Sequence, residues 1–303
     1  MAEHKYEGVL VVNKEQGPTS HDVVSSLRSI TGMRRIGHCG TLDPLASGVL
    51  VVCLGRFTRL NEWLSAGEKE YETTFCLGAT SDTYDAQGRI TPSPDIEVPD
   101  SASVLKHLEN FKGAIEQIPP AYSALKVEGV RSYKLARRNQ AVPLKARRVH
   151  IAEIEVLHYK FPLLKLRVAC ARGTYIRSLA ADLGAQLGCG GYVQALCRIR
   201  VGNLDLNEAL ILEQIRDAVS EGQLGQHFVP PSKALSGLSE IVLEPQRLER
   251  FAHGNPVVFE EEEDQRENQV CAVYNMDMKL CGIGRLEAED GRLRPLKVLA
   301  PIL

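Results

Sequence analysis

The sequence lacks any apolar run long enough to cross a membrane, and its first five residues, Met1 to Lys5, lack the apolar core of a secretory signal peptide. Both absences argue against a membrane protein or a secreted one, so we expect a cytoplasmic chain. Of its 303 residues, 44% are hydrophobic and 24% are charged. These fractions are typical of a globular protein built from one large domain or two.

Paired cysteine motifs are also missing, although the chain has eight cysteines. No two cysteines form a CxxC pair, and the closest two, Cys189 and Cys197, have no histidine cluster beside them. A zinc site usually needs such spacing, and disulfides are rare in the cytosol. We therefore expect free thiols and no bound metal.

An excess of positive charge is absent overall, since the net charge is −2. The charge is unevenly distributed, however: residues 240–303 carry 8 basic and 13 acidic side chains, which leaves residues 1–239 with a net charge of +3. The segment Lys126–Arg148 contains one acidic residue, Glu128, and eight basic ones, namely Lys126, Arg131, Lys134, Arg137, Arg138, Lys145, Arg147 and Arg148. Such a stripe can contact nucleic-acid phosphates, or it can be a solvated helix face.

The most informative segment runs from Gly37 to Leu50 and places Asp43 between a leucine and a proline. Pro44 has no backbone donor and disfavours helical geometry at the residue before it. Gly40 and Gly48 permit backbone angles that other residues resist. This composition predicts a loop that fixes one carboxylate in a defined orientation, which suits catalysis. The alternative is an ordinary turn before a buried strand, with Asp43 as a turn residue.

Apolar periodicity and end signals predict the elements around this loop. Thr19 and Asp22 form a capping-box pattern at the start of a helix that ends at Gly32. Ser101 and Thr174 are expected to cap two later helices, and a further helix is expected over roughly residues 207–220. The expected strands are Gly8–Asn13, Val49–Leu54, Lys69–Leu77, and two near Val149–Tyr159 and Leu164–Ala171. Short strands after a boundary near residue 236 predict a small all-β module.

With its fixed positions written out, the segment becomes Gly-His-x-Gly-Thr-Leu-Asp-Pro-x-Ala-x-Gly-x-Leu, which resembles the signature of the TruB family of tRNA pseudouridine synthases. Four further blocks occur in the order that this family shows, namely Asn13–Ser20, Lys69–Tyr71, Gln117–Lys126 and Arg172–Ala180. Two departures stand out. Glu15 follows Lys14 where the family usually has proline, and Tyr192 begins a block that usually begins with histidine.

The resemblance implies an α/β fold, with a mixed, largely antiparallel sheet flanked by helices. It also implies a catalytic domain over residues 1–236, which includes an RNA-gripping insertion at about 120–150. A PUA-like RNA-binding domain with a small β-barrel is expected over residues 237–303.

The implied reaction converts the T-loop uridine at position 55 of tRNA to pseudouridine after the base is flipped out. Atoms are exchanged within one nucleotide, so no cofactor is expected, and the implied partner is the tRNA T-arm, bound by a monomer. By resemblance, Asp43 is the nucleophile, attacking either uracil C6 or ribose C1′. Arg177 would pair with Asp43, and Tyr71 would stack on the base and accept a proton.

RNA contacts are implied for a wider set of residues. His38 would fill the space that the flipped base leaves, while Tyr175 and Leu196 would pack under the base. Lys14 and the basic stripe, above all Lys126, Arg131, Lys134, Arg137, Arg138, Arg147 and Arg148, would contact the surrounding RNA. Each of these residues also has an ordinary structural interpretation as a core, loop or surface side chain.

Two other functions stay open on sequence grounds. The same scaffold could serve as a non-catalytic factor that binds or folds tRNA, which would bind normally without turnover. A carboxylate hydrolase of another class would need a second catalytic acid near Asp43, and the sequence shows no neighbouring carboxylate.

Overall fold

A computed structural model describes residues 5–123, 126–127, 130–132, 144–258, 268–287, 289 and 291–299. Its strands, in chain order, are β1 (Gly8–Lys14), β2 (Ile36–His38), β3 (Ser47–Leu54), β4 (Lys69–Leu77), β5 (Ala79–Ser81), β6 (Ile90–Pro92), β7 (Gly113–Gln117), β8 (Lys126–Val127), β9 (Val130–Arg131), β10 (Arg147–Lys160), β11 (Leu163–Cys170), β12 (Gly191–Val201), β13 (Leu204–Asp205), β14 (Ser239–Val242), β15 (Val257–Val258), β16 (Gln269–Tyr274), β17 (Leu280–Glu287) and β18 (Arg292–Val298). The α-helices in the same residues are α1 (Ser20–Thr31), α2 (Asn61–Leu64), α3 (Ser101–Glu109), α4 (Ile176–Gln186), α5 (Leu212–Ser220), α6 (Pro231–Ala234) and α7 (Pro245–Ala252).

The larger sheet carries the candidate site, and its strand order is β1-β3-β12-β4-β11-β10-β7, with β2 beside β3 and β13 beside β12. Strands β3 and β12 are parallel, and the other neighbouring pairs are antiparallel. The fold class predicted from the sequence, a mixed and largely antiparallel α/β arrangement, is confirmed. None of the helices in the described ranges is long and apolar enough to span a bilayer.

Strand β3 is the central support of the Asp43 loop, and it is buried on both faces. Leu50 and Val52 pack with Val24 of helix α1 on one face. Val51 packs on the other face in a cluster that includes Ile283 of the C-terminal module. The uninterrupted apolar run of this strand follows from this double burial, because a strand with one exposed face would alternate.

Strand β4 shows that alternation, as its sequence predicts, over the predicted range of Lys69–Leu77. Tyr71, Thr73 and Phe75 are buried, while Glu70 and Glu72 between them are partly exposed. The pleat therefore turns Tyr71 toward the interior of the sheet and the glutamates toward solvent.

Helix α1 forms with the predicted end signals. The Thr19 side chain accepts from the Asp22 backbone while the Asp22 carboxylate accepts from the Thr19 backbone, which completes the capping box. The helix ends at Gly32, whose φ of 71° is left-handed and favours glycine.

Three details of the expected helices are wrong. Asp100, rather than Ser101, caps α3, since its Oδ1 accepts from Ser103 N at 2.7 Å. Tyr175 occupies the N-cap of α4, and Thr174 instead donates its hydroxyl to Ala171 O at 3.0 Å. The helix expected over residues 207–220 begins only at Leu212, because Leu210 bonds along β1 in an extended conformation.

The C-terminal module is a five-stranded sheet in the order β14-β16-β17-β18-β15, with helix α7 packed against it. The ring of Phe251 from α7 is fully buried over Gly284, where an added Cβ would lie 2.6 Å from Leu293. This arrangement is consistent with the PUA-like module expected there. The domain boundary at residue 236 stays a prediction.

Candidate active site

The loop that carries Asp43 lies between β2 and β3 and is tied to helix α1. Ser20 Oγ donates to Leu42 O at 3.0 Å and accepts from Leu42 N at 2.8 Å. Ala46 N donates to Asp43 O at 3.0 Å, which closes a turn around the aspartate. Gly48 allows the close approach of strand β12, because a Cβ at this position would lie 2.2 Å from Arg198 O. The carboxylate of Asp43 is therefore presented by a rigid loop.

Arg177, at the start of helix α4, joins two carboxylates. Its Nε lies 2.9 Å from Oδ2 of Asp43, and its Nη1 lies 3.4 Å from Oδ2 of Asp85. The same guanidinium donates from Nη1 to Thr83 O at 3.1 Å and from Nη2 to Tyr122 O at 2.8 Å. With 5% of its side chain exposed, Arg177 is held in one orientation by these partners, as a planar guanidinium allows.

The ionisation of Asp43 depends on opposing effects. Burial raises the pKa of its carboxyl above the ordinary value, and the charge of Arg177 opposes that rise. The negative charge of Asp85 raises the Asp43 pKa further, whereas Lys14 lowers it. About a third of the side chain, 36%, is exposed. One edge of the carboxylate therefore faces an open cavity, while Arg177 holds the other.

That cavity has a volume of about 570 Å³ and is lined by many of the residues that the sequence analysis named as candidates. Those that line it are Asp43, Tyr71, Arg147, Arg148, Tyr175, Arg177 and Leu196. A carboxylate, two aromatic rings and an apolar side chain thus surround a space of the size that small-molecule ligands occupy.

Tyr71 is buried to 7% exposure in this lining. Burial raises the pKa of its phenol, while the charge of Arg198 and a hydrogen bond to it act in the opposite direction. The phenol is therefore neutral at pH 7, and its ring provides a flat apolar wall beside Asp43.

Gln117 positions the second aromatic ring of the cavity. Its Oε1 accepts from Tyr175 N at 2.7 Å, and its Nε2 donates to Tyr175 O at 3.1 Å. This two-way amide contact fixes the Tyr175 backbone where helix α4 begins.

Lys14 is placed differently from the expectation of an RNA contact. The side chain is buried, and its Nζ donates to Ala46 O at 2.6 Å and to Glu15 O at 3.0 Å. Burial lowers the pKa of Lys14 to about 8, although Asp43 acts to raise it. An ammonium so enclosed does not reach an RNA surface, so Lys14 supports the Asp43 loop from below instead.

His38 ends strand β2, five residues before Asp43, and is half-buried. Its carbonyl accepts from Asn61 Nδ2 at 2.9 Å, and its side chain does not contribute to the lining of the Asp43 cavity.

Tyr192 is buried in strand β12 opposite Cys76, and burial raises its pKa to about 12. The departure at position 192 is thus accommodated within the sheet.

The basic stripe is partly described. Arg147 and Arg148 are exposed at the start of β10 and form one side of the cavity mouth. Lys126 and Arg131 lie in the short strands β8 and β9, and their side chains lie outside the described part of the chain, as do Lys134, Arg137 and Arg138 altogether. Their RNA contacts stay predictions.

Four residues near the cavity escaped the sequence reasoning, namely Lys69, Asp85, Arg172 and Arg198. Lys69 could have been found, since it alternates with Tyr71 on one strand face. Asp85 is a second carboxylate close to Asp43, which contradicts the expectation that no neighbouring acid exists. It is separated from Asp43 by the shared Arg177 and is itself buried.

Among the described residues, no group of three His, Cys, Asp or Glu side chains is placed to hold a metal ion, and all eight cysteines are free.

Two segments of the chain match domains of a known protein family. Residues 28–176 match the family described as TruB family pseudouridylate synthase (N terminal domain). Residues 177–236 match the tRNA pseudouridylate synthase B C-terminal domain.

Curated relatives named tRNA pseudouridine synthase B are similar over most of the chain. The protein from Dehalococcoides mccartyi (strain ATCC BAA-2100) is 39% identical over 292 residues, which cover 96% of both chains. That from Clostridium acetobutylicum is 36% identical, covering 95% of this chain and 98% of its own length. That from Solibacter usitatus is 44% identical over 249 residues, covering 82% of this chain and 85% of its own.

Two solved structures share the fold. A chain in the crystal structure of a Cbf5-Nop10-Gar1 complex superposes with a TM-score of 0.76 at 25% identity, covering 99% of this chain and 87% of that one. A chain of an H/ACA RNP bound to a substrate RNA containing 2′-deoxyuridine gives a TM-score of 0.74 at 23% identity, covering 97% and 86%. The matched domains and the curated relatives show that the chain belongs to the TruB family of pseudouridine synthases, isomerases that act on RNA.

Proposed function

We propose that this protein converts the uridine at position 55 in the T-loop of tRNA to pseudouridine, with Asp43 as the nucleophile. The observation that carries the proposal is the ion pair of 2.9 Å between Asp43 and Arg177 at the edge of the cavity that Tyr71 lines. The curated relatives that bear the name tRNA pseudouridine synthase B support the choice of tRNA.

The reaction breaks the bond between ribose C1′ and uracil N1, rotates the base and joins C1′ to C5. An ionised Asp43 attacks either uracil C6 or ribose C1′, and the bond that it forms breaks again before the product leaves. C5 loses its proton after it has bonded to C1′, and N1, whose bond to C1′ was broken, takes up a proton, so the product is an isomer of the substrate. All other atoms stay within one nucleotide, so no cofactor or energy source is needed. Arg177 and Lys14 both favour the charged form of Asp43 that the attack requires.

The cavity accommodates a base that has left its stack. Tyr71 and Tyr175 present ring faces, and Leu196 presents an apolar side chain, so a planar pyrimidine can be held while it is detached. His38 would fill the gap that the base leaves in the RNA loop. Folded loops with splayed bases are the usual targets of sequence-specific RNA recognition.

The RNA around the target would be held by cations at the cavity mouth. Arg147 and Arg148 are exposed there, and Lys126, Arg131, Lys134, Arg137 and Arg138 would extend the same surface. Phosphate contacts of this kind make binding depend on salt. We expect the protein to act as a cytoplasmic monomer on the T-arm, with the PUA-like module over residues 237–303 adding RNA contact.

Release of tritium from tRNA labelled at C5 of uridine tests the proposal. The wild-type protein should release one tritium per transcript, and a matched transcript with cytidine at position 55 should release none. Release from the cytidine transcript would contradict the choice of position. Tight binding of both transcripts without release from either would identify a non-catalytic tRNA-binding factor instead.

A further inference from the structure

Arg198 lies on β12 directly opposite Tyr71 of β4 in the sheet register. An irregularity between Arg198 and Arg200 shifts the register of this strand pair. Arg198 is 1% exposed and faces the cavity. Arg200, two residues later, points instead to the charged surface of the sheet and pairs with Glu70 and Glu68. Two arginines of one strand therefore have opposite surroundings.

The guanidinium of Arg198 contacts both ends of the Asp43 loop. Its Nε donates to Val49 O at 2.8 Å, after the aspartate, and its Nη2 donates to Gly40 O at 3.1 Å, before it. Nη1 lies 3.5 Å from Thr41 O. These carbonyls are separated from Arg198 by about half the chain, so this one side chain connects the loop to the strand that pairs with β4.

This burial is unusual for a charged group. Arg198 makes no ion pair with any carboxylate in the described ranges, whereas Arg177 and Arg200 each make two. Burying a cation is costly unless its donors are satisfied, and here backbone carbonyls satisfy them. The burial is explained by the geometry of the contacts, because the rigid fork of the guanidinium donates to one carbonyl before Asp43 and to another after it.

The electrostatics agree with that geometry. The charge of Arg198 and its hydrogen bond act to lower the pKa of the Tyr71 phenol against the effect of burial. Lys69, on the same face of β4 as Tyr71, also approaches the loop, since its Cε lies 4.0 Å from the position of a Cβ at Gly40. The loop and the tyrosine thus share one positively charged support.

We propose that Arg198 is a positioning residue that fixes the Asp43 loop relative to Tyr71, so that the carboxylate and the phenol face the same base. The expected effect on the reaction rate rests on the proposed function, whereas the expected effect on the order of the Asp43 loop does not. It assigns to Arg198 a role in the rate of the reaction, with no direct contact with RNA.

The experiment compares Arg198→Met and Arg198→Lys with Arg200→Met, a matched change on the same strand outside the cavity. Hydrogen exchange of the free protein is read at the loop amides of Leu42 and Ala46, which are hydrogen-bonded in the structure. We expect exchange at these amides to rise at least about tenfold in Arg198→Met, since the loop loses its tether, and to stay within about twofold in Arg200→Met.

The second arm is single-turnover tritium release. Arg198→Met should lower the rate constant about 100-fold, as small misplacements of catalytic groups do, while the Kd for tRNA stays within about threefold because only 1% of Arg198 is exposed. Arg198→Lys should recover about tenfold of the loss, since one ammonium can replace one of the guanidinium hydrogen bonds. Arg200→Met should match the wild type.

Unchanged loop exchange in Arg198→Met would overturn the inference whatever the activity. So would a rate loss equal to that of Arg200→Met, or a loss of tRNA affinity in step with the rate. If the wild-type protein released no tritium, the proposed function would fail, and the exchange measurement would still decide whether Arg198 holds the loop.

Discussion

Nη1 of Arg177 lies 3.4 Å from Oδ2 of Asp85, on a guanidinium whose Nε already pairs with Asp43. Asp85 is buried, so its charge is compensated mainly by this ion pair and by local hydrogen bonds from Thr83 Oγ1 and Gln87 N. The second carboxylate therefore restrains Arg177 from the side opposite the reaction. Its negative charge also raises the pKa of Asp43, against the effect of Arg177.

Replacing Asp85 by asparagine should slow catalysis by misaligning Arg177. We expect the single-turnover rate constant of Asp85→Asn to fall about 10- to 100-fold, because the guanidinium loses one of two fixed anionic partners. tRNA affinity should be unchanged. The control is Asp82→Asn, an exposed acid in the same loop whose Oδ1 accepts from Arg89 N. Equal rates in both variants would contradict a role for Asp85.

The buried ammonium of Lys14 predicts an alkaline limit to the reaction. Its pKa is lowered to about 8, so it is charged below that pH and neutral above it. The charged form stabilises ionised Asp43, and the rate should therefore fall as the pH rises through about 8. Lys14→Met should have a lower rate at pH 7 and should lose this alkaline limb.

Lys69 is the control for that assignment, because burial lowers its pKa to about 8 as well. Its Nζ donates to Ser65 O and Gly67 O rather than to the loop. Pre-steady-state rates from pH 6 to 9.5 separate the two lysines. An alkaline limb that persists in Lys14→Met and disappears in Lys69→Met would show that the wrong lysine was chosen.

The two hydrogen bonds between Ser20 Oγ and the Leu42 backbone predict that Ser20→Ala lowers the stability of the protein. Ser20→Ala removes two hydrogen bonds and leaves the buried Leu42 amide without its partner, which should cost about 2–3 kcal/mol of the free energy of unfolding. Ser29→Ala, an exposed change in the same helix, should stay within about 0.5 kcal/mol of the wild type. Urea unfolding measures the free energy of unfolding of both variants. A loss for Ser20→Ala no larger than for Ser29→Ala would show that the hydrogen bonds between Ser20 and Leu42 do not stabilise the fold.

Salt dependence tests the cations at the cavity mouth. The double variant Arg147→Gln/Arg148→Gln should reduce the slope of log Kd against log salt by about 1 to 2, one unit for each RNA phosphate that is no longer neutralised. Lys160→Gln, at the other end of the same strand, should leave the slope unchanged. An unaltered slope in the double variant would place the RNA elsewhere.

Local sequence signals predicted the parts of the molecule that local physics determines. The capping box at Thr19 and the alternation around Tyr71 are encoded within a few residues, and both elements formed over the expected ranges. The loop around Asp43 was recognisable for the same reason, since its glycines and proline restrict the backbone directly.

Long-range contacts explain what the sequence did not predict. Arg198 reaches the Asp43 loop across 149 to 158 residues. Asp85 meets Arg177 where its own backbone pairs with Val193 of β12, a long-range contact that a local pattern does not indicate. The burial of Lys14 likewise depends on the later packing of the loop over it, so a sequence pattern alone suggested a surface contact. The cap of helix α3 also differed from the expectation, because the Asp100 carboxylate accepts from Ser103 N, and helix α5 began late because Leu210 pairs with β1.

The most direct test of Asp43 as the nucleophile is single-turnover tritium release by Asp43→Asn on a tRNA transcript labelled at C5 of uridine, with tRNA binding measured in parallel. We expect wild-type affinity and a rate reduced by at least about 10⁴-fold, since asparagine keeps the shape of the loop and removes the attacking charge. Release at more than about a tenth of the wild-type rate by this variant would contradict Asp43 as the nucleophile.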